Sequence, residues 1–144
     1  ANGAVIEAKD NDGFTPLRDA ASVGNSKSLK SLLAHGGVVS VRDRYEATPL
    51  HWAAMTTNVA AVALLLDAGA GINALDLARR TPLHQAAEAG REAVVKLLME
   101  RKADATARDA NFDTPAELAR KKGFYHIVTV LSGQSTPPLK ARSE

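Results

Sequence analysis

Apolar positions along the chain follow helical spacing in short stretches. Leu50, Ala53 and Ala54 stand at i, i+3 and i+4, a narrow apolar stripe on one face. Thr48 precedes them as a good N-cap, and Pro49 takes the first helical position, where a missing N–H costs nothing. A second type of helix is predicted over about 92–100, with Val94, Val95, Leu97 and Leu98 as its buried side. Gly90, just before this helix, can take the left-handed conformation that ends the helix preceding it in the same copy. Helices of about 8–10 residues are marginal alone in water, so this pattern requires neighbours to pack against.

The neighbours are copies of the same unit. Thr-Pro-Leu begins at Thr15, Thr48 and Thr81, and Thr-Pro-Ala at Thr114, each 33 residues after the last. The same shift relates Asp10, Asp43, Asp76 and Asp109, and also Ala20, Ala53, Ala86 and Ala119. Leu32, Leu65, Leu98 and Leu131 follow it too. Gly24, Gly90 and Gly123 share one position, which Thr57 occupies in the second copy. Four agreeing copies predict a quasi-one-dimensional stack in which each unit buries its face on the next. A β-branched residue at the glycine position is expected to be strained, so Thr57→Gly should stabilise unless the turn rearranges around Asn58.

These residues resemble the ankyrin repeat. Thr48-Pro49-Leu50-His51-Trp52-Ala53-Ala54 and Thr81-Pro82-Leu83-His84-Gln85-Ala86-Ala87 carry the family's Thr-Pro-Leu-His-x-Ala-Ala signature, and the likeness covers roughly residues 3–132. It implies an all-α ankyrin-repeat solenoid of four 33-residue helix-turn-helix units with hairpin fingers. It also implies a concave side, made by fingers and first helices, that commonly binds proteins. The units are expected at 10–42, 43–75, 76–108 and 109–132, within one domain over 1–132. Residues 3–9 align with 36–42 and read as the remnant of a preceding unit, so the chain is expected to be processed or cut from a longer protein. Residues 133–144, with Pro137 and Pro138, read as a disordered tail.

End units need polar outer faces. Arg120, Lys121 and Lys122 mark the last copy as a C-terminal cap, because Arg120 stands where Ala21, Ala54 and Ala87 pack. Ser28 and Ser31, with Lys27 and Lys30, mark the first copy as an N-terminal cap. The family's finger glycine survives as Gly13, while Glu46, Arg79 and Phe112 replace it elsewhere, so those tips are expected to be less regular.

Composition narrows the chemistry. Alanine occurs 27 times and aromatics make up 4% of the chain, which suits close helix packing and not a β-sandwich. The absence of cysteine removes disulfides, thiol nucleophiles and cysteine metal sites. Eighteen basic and sixteen acidic residues leave a net charge of +2, no nucleic-acid footprint in itself. No apolar run can span a membrane, and no secretory-signal layout is present at the first ten residues. A cytoplasmic or nuclear location is expected. The resemblance gives His51 and His84 a structural role, bonding within their own turn and to the neighbouring unit. His35 and His126 have no partners at ligand spacing, and the recurrent aspartates read as turn formers. No phosphate loop, nucleophile elbow or metal cluster is visible, so no enzyme activity, cofactor or metal is expected.

The expected function is protein–protein interaction by a monomer: a scaffold, adaptor or regulator that binds a protein or peptide in its concave groove. The alternative is a recruiting domain from a larger enzyme or channel. A further alternative, nucleic acid or phosphoinositide held by Arg79, Arg80, Lys121 and Lys122, would show steep salt dependence. Within the implied groove, Trp52 and Met55 leave the core stripe for another helix face. With Tyr45 they form the centre of the expected partner site, flanked by Phe14, Arg44, Leu77 and Arg80, a composition typical of binding hot spots. Trp52→Ala is expected to weaken binding while changing folding stability by less than about 1 kcal/mol.

Overall fold

The computed structural model describes residues 13–133. Among the described residues there are eight helices and no strands, and the helices run in four antiparallel pairs. They are α1 (Pro16–Ser22), α2 (Ser26–Ala34), α3 (Pro49–Ala54), α4 (Val59–Asp67), α5 (Pro82–Ala89), α6 (Glu92–Glu100), α7 (Pro115–Lys121) and α8 (Tyr125–Leu131). The remnant expected over 3–9 and the tail over 134–144 lie outside the described residues.

The odd-numbered helices stack in one row and the even-numbered helices in a second behind it. Two alanines per inner helix make this possible. Ala20 and Ala21, Ala53 and Ala54, and Ala86 and Ala87 are all buried, and their small side chains bring successive backbones together. Leu17, Leu50 and Leu83 anchor the inner row, and Leu29, Leu65 and Leu98 the outer row, each almost completely buried. Val94, Val95 and Leu98 give α6 its buried face, with Leu97 half-buried beside them.

Threonine caps and a proline at N1 begin each inner helix. Thr15, Thr81 and Thr114 accept from the backbone N–H of Arg18, His84 and Glu117 at 3.2–3.3 Å. In the middle units the third residue answers back: Thr48 and Thr81 donate their backbone N–H to Nδ1 of His51 and His84 at 3.0 and 3.1 Å. The opposite ring nitrogens then donate to the carbonyls of Arg80 and Asp113 in the next unit, at 2.8 and 2.9 Å. Both histidines are thus neutral rivets between units. Burial holds them below the usual histidine range, against the pull of those carbonyls.

Two expectations are corrected. Thr57 is not in the left-handed region, although Gly24, Gly90 and Gly123 are, at φ 68, 75 and 83°. In those copies the residue after the glycine donates to a helix carbonyl one turn back, as Asn25 does to Ala20 at 2.9 Å. In the second copy the Thr56 hydroxyl takes the Ala53 carbonyl at 2.7 Å and accepts from Asn58 N–H at 3.2 Å. The side-chain amide of Asn58 reaches the Gly24 carbonyl, and Arg91 Nε donates to the Met55 carbonyl at 2.7 Å. The turn is rebuilt from side chains, so the helix stops at Ala54 and Thr57 carries no left-handed strain.

The fingers are also more regular than expected. Glu46, Arg79 and Phe112 adopt φ of 59, 61 and 67°, close to the 81° of Gly13. The aspartate forces the turn. Asp43 Oδ1 accepts from Tyr45 and Ala47, Asp76 Oδ1 from Ala78 and Arg80, and Asp109 Oδ1 from Asn111 and Asp113, all at 2.8–3.1 Å. Neighbouring fingers join by Leu77 N–H to the Tyr45 carbonyl and Ala110 N–H to the Ala78 carbonyl, both 2.9 Å.

Candidate functional site

The fingers and the inner helices enclose a groove between the second and third units. Its volume is about 340 Å³, and its lining is Tyr45, Ala47, His51, Trp52, Met55, Asp76, Leu77, Ala78 and Gln85. Finger positions put Tyr45 and Leu77 at the rim, 48% and 67% exposed. The outward stripe of α3 puts Trp52 and Met55, both half-buried, on the floor. Exposed apolar side chains around a concave site are suited to desolvating a partner's side chain.

Four of the seven expected site residues therefore share one cavity: Tyr45, Trp52, Met55 and Leu77. Phe14 and Arg44 join its edge through the aromatic rings. Phe14, Tyr45 and Trp52 form a triangle with centroids 6.2–6.4 Å apart, and the Arg44 guanidinium lies 5.5 Å from the Tyr45 ring. Arg80 does not line the groove. Its guanidinium is engaged by Glu88 at 2.6 Å and Asp109 at 3.4 Å. Lys121 is held by Asp113 at 2.6 Å, which keeps that lysine charged to higher pH than usual.

Arg18, Asp43, Asp76 and Gln85 were not expected at the site. Arg18 stands where His51 and His84 stand in the next two units, and this substitution is visible in the sequence. It makes no rivet. Its guanidinium lies 3.6 Å from the Phe14 ring centre and 4.0 Å from that of Trp52, in the angle between two rings inclined at 75°. Trp52 donates its indole N–H to Asp43 Oδ2 at 2.7 Å, and Arg18 Nε lies 4.0 Å from the same oxygen. Gln85, one unit later, makes the equivalent bond to Asp76 Oδ2 at 3.1 Å. Trp52 is therefore both groove floor and framework, and its removal reaches folding stability as well as any contact with a partner.

Residues 2–76 match a family model described as ankyrin repeats (3 copies), and residues 65–119 a second described as ankyrin repeats (many copies). The chain belongs to the ankyrin-repeat family. Comparison with curated proteins gives no match. Ankyrin repeats are in general protein-interaction modules. Among the described residues no helix of this ankyrin solenoid is long and apolar enough to cross a membrane.

Proposed function

We propose that this ankyrin solenoid binds a partner protein through the groove between its second and third units, as a scaffold, adaptor or regulator without catalysis. The observation that carries this reading is the coincidence of cavity and composition. Tyr45, Trp52, Met55 and Leu77 line one opening, on the side where the inner helices are not covered by the outer row. Anchors of this kind account for most of the affinity of a typical interface. Phe14 and Arg44 extend the surface towards the first unit.

The test is selection of random dodecapeptides displayed on phage against the immobilised protein, with counter-binding to Leu77→Lys. Leu77 is exposed, so this variant keeps its fold. Selected peptides should bind Leu77→Lys at least about tenfold more weakly. Peptides that bind both proteins equally would place the partner surface elsewhere.

A further inference from the structure

We propose that the groove is built to take an arginine side chain of the partner, its guanidinium resting on Trp52 and facing the carboxylate of Asp76; this rests on the groove being the partner surface. Three described finger aspartates occupy equivalent positions and spend Oδ1 identically, on two backbone N–H groups. Their second oxygens differ. Asp43 Oδ2 has Arg18 nearby at 4.0 Å, and Asp109 Oδ2 has Arg80 at 3.4 Å. Asp76 forms no ion pair among the described residues, and its Oδ2 accepts only the Gln85 amide. A carboxylate oxygen has room for a further donor.

Asp76 is also the accessible one. The side chains of Asp43 and Asp109 are each 1% exposed, whereas Asp76 is half-buried and lines the groove. An aromatic wall and a carboxylate in one cavity recognise a cation on an apolar stem. The chain supplies its own precedent one unit earlier, where Arg18 lies against Trp52 and beside Asp43. The cations at both flanking aspartates are arginines. A planar guanidinium can stack on a ring and meet a carboxylate at the same time, which an ammonium does less well. Arg18 covers one face of Trp52 but does not line the groove, so the partner's cation is directed to the part of Trp52 that shares the cavity with Asp76.

The test is a titration of the ¹⁵N-labelled protein with acetyl-Ala-Arg-Ala-amide, and with the citrulline peptide of the same shape and no charge. Saturable shifts are expected at the Trp52 indole N–H, the Ala78 amide and the Gln85 side chain, with the citrulline peptide at least about tenfold weaker. Asp76→Asn keeps an oxygen for the finger turn and should lose the preference for arginine over citrulline. Asp67→Asn, at an exposed site on α4, should keep it. Equal affinity for the two peptides, or shifts that do not saturate, would overturn the proposal. Groove-dependent peptides from the display selection that lack arginine would overturn it while leaving the groove reading intact.

Discussion

Trp52→Phe separates the two roles of the residue at the centre of the groove. Asp43 is a buried carboxylate whose Oδ1 serves the finger and whose Oδ2 accepts the indole N–H at 2.7 Å. Phenylalanine keeps a ring beside Phe14, Tyr45 and Arg18 but deletes that donor. Oδ2 is then left with Arg18 Nε at 4.0 Å, beyond hydrogen-bond reach. A lost hydrogen bond to a charged group costs about 1.5–3 kcal/mol, so Trp52→Phe should destabilise by that amount. Trp52→Gln should restore the bond, as Gln85 does for Asp76, and lose the ring contacts instead. Those are worth roughly 0.5–1.5 kcal/mol per aromatic pair and about 0.5–2 for the cation, so this variant also falls below wild type. Trp52→Ala loses both and should be the least stable. The assay is urea unfolding followed by circular dichroism at 222 nm, because Trp52 is the sole tryptophan and fluorescence cannot follow its variants. A Trp52→Phe protein within about 0.5 kcal/mol of wild type would refute the role given to the indole N–H.

Gly90→Ala should destabilise by clearly more than Gly123→Ala, which should cost about 1 kcal/mol. Both positions have positive φ, but a Cβ at Gly90 would meet the Phe124 ring at 2.8 Å and one at Gly123 meets nothing; equal losses in urea unfolding would remove Phe124 from the explanation. Phe112→Gly should raise stability by about 0.5–1 kcal/mol, because Phe112 sits at φ 67° with a side chain 75% exposed, whereas Thr57→Gly should give no gain; the opposite order would contradict the turn geometries described. His51 and His84 have folded pKa values below the unfolded 6.5, so the unfolded state binds more protons as pH falls. Stability should be level above about pH 7 and decline below about 6.5, by at most about 1.4 kcal/mol per pH unit for each histidine; a urea midpoint constant from pH 7.5 to 5 would contradict the neutral rivets.

The stack was legible in the sequence because each unit repeats the same solution: Thr-Pro to start a helix, paired alanines for close approach, leucines to fill the row behind. The partial failures share a cause. Each lies where side chains other than the repeat's own take over a backbone function. Thr56, Asn58 and Arg91 rebuild the turn at Thr57 through contacts with the first and third units, which no spacing rule contains. Glu46, Arg79 and Phe112 keep the finger's shape because Asp43, Asp76 and Asp109 impose it, so the missing glycine misled. Helical spacing set Trp52 and Met55 apart from the core stripe, and the ankyrin resemblance put them with Tyr45 and Leu77 on the concave side, where the four line one cavity. Arg18 was missed as a site residue because its position belongs to the histidine rivet, and only the fold shows where a longer side chain goes instead. Arg80 was included for its charge, but Glu88 and Asp109 take that charge away from the groove.

The central claim is that a partner is read by the groove between the second and third units. Amide spectra of the ¹⁵N-labelled protein, recorded with a display-selected peptide at saturation, test it most directly. Shifts concentrated at Tyr45, Trp52, Met55, Leu77, Ala78 and Gln85, with Lys27, Lys30 and Ala63 on the opposite face unmoved, are the predicted result. Shifts concentrated on that opposite face, with the Trp52 indole resonance unchanged, would contradict the account.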